Sequence, residues 1–584
     1  MIKKTFGLTG NSTFQILLLL LAICSVINVI PYVYDSPRTS MLISIPYVII
    51  AVGIYTIITS WRMNIVVTMP DFIILFFMTT LLLSPPANKL WGSGYISLCL
   101  LYFLIRIIPT KINYLKAYYT VLIAICLLSV IGYLQYFLII PSNNSFFSIT
   151  GSYYNPSIYA NVLALLLSVV FAFLFLYRPY KKLKRPIYIS IGICLLSIPL
   201  LILSNSRSSW VAIILLLGYL FFTTNKLVRK RFIPTKVICA ALLLIITTLF
   251  LLYKLKPDSA DGRILIWKVS FNMIKDKPLL GYGTDGFAAN YMHYQKEYFE
   301  KGGSDREKYL ANNNYLTYND PLRIIIEYGL VGFTIYFGLI YLLLFKVKSD
   351  KKLFILFKTF IISYLTLGLF SYPNKVFPIL MWLIIMLARM ADCIKEGTFT
   401  VNINTKAERV LKVALSLILV ALFINLVYDH KSYNKFHKIL AQQKQIPLTD
   451  NLPVFIELQN SLSGDVGFMS VYSHTLYKSG QDSLCLEKIS QCRLLFPQNS
   501  IYIIKGDCLK RLERYKEAEQ AYWYAHYMVP SKQRARGRLA FLYKETGRYE
   551  KGKYLAQEIL NEDVKVYGFD TYDLHKEIKE AFMD

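Results

Sequence analysis

The sequence predicts an all-α membrane protein, a polytopic transmembrane helical bundle of about 12–13 spans with a C-terminal α-solenoid. Three observations carry this. The chain of 584 residues is 55% hydrophobic and only 17% charged, with mean hydropathy +0.43, where a soluble domain carries about 25% charged residues. Its apolar residues run in blocks such as 16–30 and 237–253, long enough at about 1.5 Å per residue to cross hydrocarbon. The tail breaks that pattern and repeats internally. A soluble enzyme, a secreted disulfide scaffold and a disordered chain are excluded.

The spans fall at 14–30, 41–60, 65–84, 91–109, 118–140, 157–177, 187–204, 208–224, 237–253, 322–345, 353–371, 376–392 and 410–428. The first follows Lys3 and Lys4 like a signal peptide, but Ile30, Pro31 and Tyr32 close it without a small-residue cleavage site, so it is read as a retained helix. With the N-terminus in the cytoplasm, alternate connections are crowded with Lys and Arg, among them Arg106, Lys181, Lys182, Arg229, Lys230, Lys346 and Arg389. The short connections on the other side hold Arg38, Lys89, Arg207 and Lys375. That asymmetry is the positive-inside rule. It accounts for the net charge of +28 without nucleic acid as a partner, and it sends the C-terminus out. The expected divisions are 1–253, an N-terminal membrane bundle; 254–320, a large loop outside the cytoplasm; 321–428, C-terminal membrane helices; and 429–584, a helical repeat domain on the same outer side.

The loop 254–320 nearly balances ten Lys and Arg against nine Asp and Glu, as a water-facing structure does. Helices are expected over 264–274 and 287–300, with a Gly-rich turn at 278–286. In the tail, Gly506, Tyr515 and Ala518 recur 34 residues on as Ala540, Tyr549 and Gly552, while Pro497 and Pro530 close two units. This period resembles the tetratricopeptide family, whose repeats stack into a curved solenoid with a binding face. A protein or acceptor docked there is one reading; a helical cap that steadies the membrane domain is the other. Of nine cysteines, six lie in or beside spans. Cys485 and Cys492 are roughly 10 Å apart on one helix, beyond disulfide reach. No metal or cofactor constellation appears, because His293 stands alone in the loop and the other five histidines are scattered through the tail.

Chemistry is sought among polar residues at the outer membrane surface. Arg207 sits in Ser204-Asn205-Ser206-Arg207-Ser208-Ser209-Trp210, a polar knot between two spans. An arginine there is costly unless it is paired or faces a watery cavity; snorkelling at a helix end is the bland alternative. Arg263 opens the expected helix Arg263-Ile264-Leu265-Ile266-Trp267, where a headgroup anchor is the structural alternative. Two guanidiniums on one membrane face suit a lipid-linked phosphate or diphosphate. Tyr318-Asn319-Asp320-Pro321 enters the next span, followed by Glu327 and Gly329. Capping alone explains Asp320; the alternative is a carboxylate facing the arginines' cavity. Glu327 in hydrocarbon needs a partner, and either pairs with an arginine or orients the site. The stretch Pro278-Leu279-Leu280-Gly281-Tyr282-Gly283 lacks the strand and Lys-Ser/Thr of a phosphate loop, and reads as a turn.

Four stretches resemble, in order and spacing, the O-antigen ligase and Wzy-type polymerase family. They are Gly151-Ser152-Tyr153-Tyr154-Asn155-Pro156, then Ser206-Arg207-Ser208, then Gly262-Arg263 through Trp267 to Gly283, and last Tyr318-Asn319-Asp320 through Glu327-Tyr328-Gly329. The resemblance spans roughly residues 90–390. It implies a GT-C-like, inverting, metal-independent membrane glycosyltransferase without a cofactor. Such an enzyme transfers a glycan from undecaprenyl diphosphate to an acceptor hydroxyl on the periplasmic face of the inner membrane. It implies Arg207 and Arg263 on the diphosphate, and Asn155, Ser206, Trp267, Tyr318, Asn319 and Glu327 in substrate binding; either Asp320 takes the acceptor's proton, or leaving-group stabilisation carries the reaction without a strong base. Many ligases carry a histidine where Tyr318 stands, and a tyrosine with pKa near 10 is a poor base at neutral pH. Sister activities are a polysaccharide polymerase and a protein O-oligosaccharyltransferase. A lipid-linked sugar flippase is the rival from another class, and would show inverted repeats and broken helices.

Overall fold

The computed structural model describes residues 10–27, 36–59, 64–107, 113–177, 183–224, 253–254, 256–349, 352–394, 399–402, 404–565 and 567–583. The ninth expected span, 237–253, lies outside the described residues except for Tyr253, as does much of the basic connection before it. In chain order the first elements are α1 (Gly10–Val26), α2 (Ser36–Thr59), β1 (Asn64–Val67), α3 (Met69–Leu83), α4 (Lys89–Ile107), α5 (Tyr114–Tyr136), α6 (Pro156–Tyr177), α7 (Lys184–Leu203) and α8 (Arg207–Thr224). Then come α9 (Pro257–Asp276), α10 (Gly286–Glu300), α11 (Asp305–Leu310), α12 (Asp320–Tyr341), α13 (Lys352–Phe370), α14 (Phe377–Ala391), β2 (Phe399–Asn402) and α15 (Thr405–Gln442). The remainder is α16 (Leu452–Leu462), α17 (Val466–Lys478), α18 (Asp482–Leu495), α19 (Asn499–Arg511), α20 (Tyr515–Met528), α21 (Arg534–Glu545), α22 (Tyr549–Asn561) and α23 (Phe569–Phe582).

The chain divides into two compact units. The first is Met1–Thr247 with Tyr318–Pro321 and Thr334–His437; the second is Thr248–Thr317 with Leu322–Phe333 and Lys438–Asp584. Among the described residues nine helices are long and apolar enough to cross a membrane, and α1, α3 and α14 are shorter apolar helices. Burial sorts them. The apolar stretches of α4 and α6 are 83% and 78% buried, while those of α7, α8 and α15 are a third buried or less. Ile214, Leu215, Phe221 and Phe222 of α8 are exposed. Helices whose outward side chains are apolar need an apolar surrounding, and the backbone of each satisfies itself within the helix, as a bilayer demands. The protein is a multi-pass membrane protein.

One feature departs from a purely helical expectation. β1 and β2 pair antiparallel, Asn64 opposite Asn402 and Val67 opposite Phe399. Beside them Arg106, 4% exposed, bonds Asp71 at 3.2 Å, Asp392 at 3.1 Å and the Val66 carbonyl at 2.6 Å. Arg389 joins through Asp392 at 2.8 Å and the Ile105 carbonyl. Both arginines sit on the side counted above as cytoplasmic, yet both are buried and paired. They lock α3, α4 and α14 to the ribbon as well as contributing to the charge asymmetry, and an unpartnered charge at such depth would be expensive.

In the second unit the loop helices and the tail share one core. The pairs α17–α18, α19–α20 and α21–α22 are the repeats, closed by α23. Small residues let them stack: a Cβ on Gly506 would collide with the Tyr522 ring, and one on Gly552 with the Ala540 carbonyl. Cys485, Cys492 and Cys508 are buried free thiols. α10 packs on α18 and α20. Gln295 on α10 is fully buried and donates to the Met528 carbonyl at 2.6 Å and the Asn312 carbonyl at 3.1 Å. Asn313 and Asn499 exchange two bonds, at 3.0 and 3.1 Å. The His293 ring nitrogen meets the Tyr524 hydroxyl at 2.6 Å.

Candidate active site

In the first unit the site residues gather around two helix starts and one turn. α6 begins at Pro156, pre-set for a first helical turn, and Asn155 caps it by accepting the Ser157 N–H at 2.8 Å. Only Ser204, Asn205 and Ser206 separate α7 from α8, and Asn205 takes φ +53° to make that reversal. Ser206, 4% exposed, bonds Ser157 at 3.2 Å, Ser208 at 3.2 Å and Ser209 at 3.0 Å. Ser208 and Ser209 both donate to the Asn161 carbonyl oxygen, at 3.2 and 2.8 Å, and Asn161 donates to Ser371 at 2.8 Å. Arg207 is therefore the first residue of a helix whose start is fixed by a buried serine–asparagine network. A helix N-terminus favours anions and disfavours a cation by up to about 1 kcal/mol. Placing Arg207 there is sensible when an anion is to be held by guanidinium and helix end together.

The turn 371–375 between α13 and α14 ties the other residues in. Tyr372 accepts from the Asn155 amide at 3.4 Å and takes the Tyr318 ring edge-on, centroids 5.5 Å apart. Asn319 donates to the Leu369 carbonyl at 3.0 Å. Asp320, 4% exposed, accepts the Asn374 backbone N–H at 3.2 Å, and Tyr364 holds the Asn374 side chain. Asp320 thus has a tie across the fold, more than a cap for its own helix requires. Sequence reasoning missed Asn161, Ser371, Tyr372 and Asn374. The available signal was a second polar knot between two spans, Ser371 to Lys375, and an asparagine inside an apolar helix.

In the second unit α9 starts at Pro257, with Asp258 in its first turn. Arg263 consequently stands almost two turns in, not at the helix start expected above; the Pro-Asp pair was the overlooked start signal. Trp267, one turn on from Arg263, donates its indole N–H to the Thr317 carbonyl at 3.0 Å. Its polar atom anchors the segment that leads to Tyr318.

The 278–283 stretch is a turn, as expected, with an unexpected partner. α12 is broken at Gly329, which takes φ +65° and ψ −171°. The groups released by the break are taken by the turn. Tyr282 N–H donates to the Ile326 carbonyl at 2.9 Å and Gly283 N–H to the Glu327 carbonyl at 2.8 Å. In return Leu330 and Val331 N–H donate to the Pro278 and Leu279 carbonyls at 2.8 and 3.2 Å. Gly281 at φ +68° faces the Ile326 carbonyl, where a side chain has no room. Glu327, 1% exposed, meets Arg323 one turn earlier at 2.8 Å. Arg323 is a partner of Glu327 that went unread although the i, i+4 spacing was visible. A broken helix is also what a transporter would show, but this break is filled by backbone from a loop. Among the described residues no group of three His, Cys, Asp or Glu could hold a metal ion.

Within a bundle of membrane helices, a buried polar network thus sets an arginine at a helix mouth and a carboxylate beside a pinned turn. Residues 192–337 match the family model described as O-antigen ligase, a segment that contains Arg207, Arg263, Asp320 and Glu327. That match supports a membrane glycosyl-transfer-type function in lipopolysaccharide or surface polysaccharide biosynthesis. No curated protein matches the chain. Solved structures similar to part of it include MamA MSR-1 C2, at 14% identity and TM-score 0.20 over 30% of this chain and 90% of that one. MamA AMB-1 P212121 is similar at 16% identity and TM-score 0.21, over 30% and 93%.

Proposed function

We propose that the protein transfers a glycan from undecaprenyl diphosphate to an acceptor hydroxyl at the periplasmic face of the inner membrane, with inversion and without a metal. The acceptor oxygen attacks the anomeric carbon and its proton passes to the Asp320 carboxylate. The bond from the anomeric carbon to the phosphate oxygen breaks, and its electron pair leaves with the lipid diphosphate. Arg207 and Arg263 stabilise that developing charge, a role for which loss of one donor typically costs about 10²–10³ in rate. Asn155, Ser206 and Asn319 hold the backbone that presents Arg207 and Asp320, Trp267 and Tyr318 take part in binding the substrate, and Glu327 keeps its helix aligned through Arg323. The observation that carries this reading is the match over 192–337, because all three proposed catalytic residues fall inside it. Polymerase and protein O-oligosaccharyltransferase activities use the same donor chemistry with other acceptors. A lipid-linked sugar flippase is the reading from another class.

The test is a deletion strain complemented with wild type, Arg207→Ala, Arg263→Ala or Asp320→Asn, with surface glycan and lipid-linked donor resolved on gels. Long chains stranded on the carrier above bare acceptor mark a ligase; single repeat units on the acceptor mark a polymerase. Donor trapped on the cytoplasmic face would overturn the enzymatic reading in favour of transport. An unchanged ladder would remove the protein from that pathway.

A further inference from the structure

The tail contains a cavity of about 200 Å³ between α18, α19 and the start of α20 that the transfer chemistry does not use. Its walls are apolar where Leu486, Ile489 and Leu509 stand, and its charged groups are Arg493, Lys505, Arg514 and Glu517, with Ser490 and the Tyr502 ring beside them. Arg514 and Glu517 neutralise one another through two bonds of 2.7 Å. Arg493, exposed and bonded to Tyr502, and Lys505, partly buried with Glu517 near it, add two further cations to the same small space. Arg493 closes the last turn of α18, where a cation suits the helix dipole. Lys505 is mid-helix on α19 and has no such reason. Burial, with Arg493 and Arg514 nearby, outweighs the Glu517 carboxylate and pulls its ammonium below the ordinary lysine range. With three cations to one carboxylate at the rim of this hollow, the local charge is positive and favours an anion. Tyr502 is buried, 4.4 Å from Tyr524 in a parallel stack, with Lys505 5.9 Å from its ring centre.

We infer that this cavity holds one sugar residue carrying a negative charge, a carboxylate or phosphate substituent of the glycan that the enzyme handles. The volume is below the roughly 300–1,000 Å³ of drug-sized sites, so it suits a single ring rather than a chain. Apolar walls take the ring's C–H faces, and a guanidinium with an ammonium takes the anion. The inference rests on the proposed function for the identity of the ligand, since a surface-glycan enzyme meets such residues on its substrates. It assigns the repeats a specificity role, gripping a charged residue of the glycan.

Ligand-observed NMR on the full chain in detergent tests it with glucuronate, glucose 6-phosphate, glucose, acetate and inorganic phosphate. At least one charged sugar is expected to bind ten-fold or more tightly than glucose, and which one binds tells carboxylate from phosphate. Arg493→Gln with Lys505→Gln is expected to weaken it ten-fold or more, with melting temperature unchanged; Lys505→Glu is expected to abolish it. Equal binding of glucose, equal competition by acetate or inorganic phosphate, or indifference to the variants would overturn the inference. Because binding is read apart from transfer, its failure leaves the glycan-gel result for Arg263→Ala standing, and the reverse holds too.

Discussion

Replacing Gly329 by alanine is a severe test of how the site is built. The residue's backbone lies in a region that only glycine occupies readily, with a cost of about 1–3 kcal/mol for any other. Strain is the smaller part. An alanine Cβ would stand under 3.0 Å from the Leu279 carbonyl carbon and oxygen and the Leu280 nitrogen, all backbone, so no side chain can swing away. The turn must retreat, and with it go the acceptors of the Leu330 and Val331 N–H groups. Each buried donor left unsatisfied costs about 1–3 kcal/mol, which brings the total to roughly 3–9 kcal/mol. For a domain of 150–250 residues about 2–4 °C is lost per kcal/mol, so melting followed by intrinsic fluorescence, at one scan rate, should fall by on the order of 10 °C or more. Gly281→Ala attacks the same ladder from the turn and should fall comparably. Gly338→Ala, later in α12, meets nothing within 4 Å and should hold or rise slightly, since alanine outranks glycine in a helix by about 1 kcal/mol. A Gly329→Ala protein that melts within about 2 °C of wild type would refute the ladder as the element that closes the helix break.

Three further outcomes are expected. Truncating Glu327 to alanine leaves Arg323 buried without its carboxylate, at a cost of about 3–5 kcal/mol, whereas Arg323→Met with Glu327→Leu should recover most of it in the same melting assay; a double variant worse than the single would dismiss the pair. His293 is pushed down to about 4 by burial and by Arg493 and Lys296, and His526 down to about 3 by burial, Arg536 and Lys308. The unfolded chain binds protons at these sites from pH 6.5 downward while the folded one resists. Stability of the second unit should thus be full above pH 6.5 and decline as pH falls toward 4, and His293→Gln should flatten the decline. A melting profile level from pH 7 to 4 would contradict both assignments. At Tyr318, φ is +52°, a region where histidine is enriched, so Tyr318→His should fold normally. Its imidazole should give the transfer rate a fall below about pH 6.5 that wild type lacks, while Tyr318→Phe should keep its activity; a loss of more than 10² in the Phe variant would make the phenol part of the chemistry.

Much of the fold was legible because hydrocarbon imposes its own grammar. A span must be about 20 apolar residues long, so most of the spans on described residues were found to within a few positions; at 65–84 the span begins with β1. The 34-residue period announced the tail's helix pairs. What stayed hidden depends on which distant groups meet. Asn64–Val67 and Phe399–Asn402 are short, β-prone and each beside a span, and nothing local says that they pair. The sharing of a core by loop and tail turns on Gln295 reaching the Met528 carbonyl, a side chain to backbone bond across more than two hundred positions. In the site, the residues with unusual chemistry were visible and those that fix them were not. Asn161 and Ser371 look like tolerated polar residues in apolar surroundings until the network joins them.

The four motifs share a backbone trait that the chemistry alone does not predict. Gly151 has φ +58°, Asn205 beside Ser206 has φ +53°, Gly281 and Gly283 have +68° and +81°, and Tyr318 and Gly329 have +52° and +65°. Every motif therefore contains or adjoins a left-handed residue, two of them not glycine, in a chain where such non-glycine residues are few among those described. Left-handed residues persist where the surroundings over-determine them, and they gather at functional sites. Here each does identifiable work. Gly151 closes against the Tyr159 ring, and Gln135 grips its N–H at 2.7 Å and its carbonyl at 2.9 Å. Asn205 turns the chain so that Arg207 opens a helix; Gly281 and Gly329 fit turn to broken helix; Tyr318 swings the chain so that Asp320 reaches Asn374. The motifs are thus specifications of shape as much as of reactive groups. An alanine scan that reads lost transfer at these positions as lost catalysis would confuse the two, and only paired melting and rate measurements on the same variants separate a misplaced arginine from an absent one.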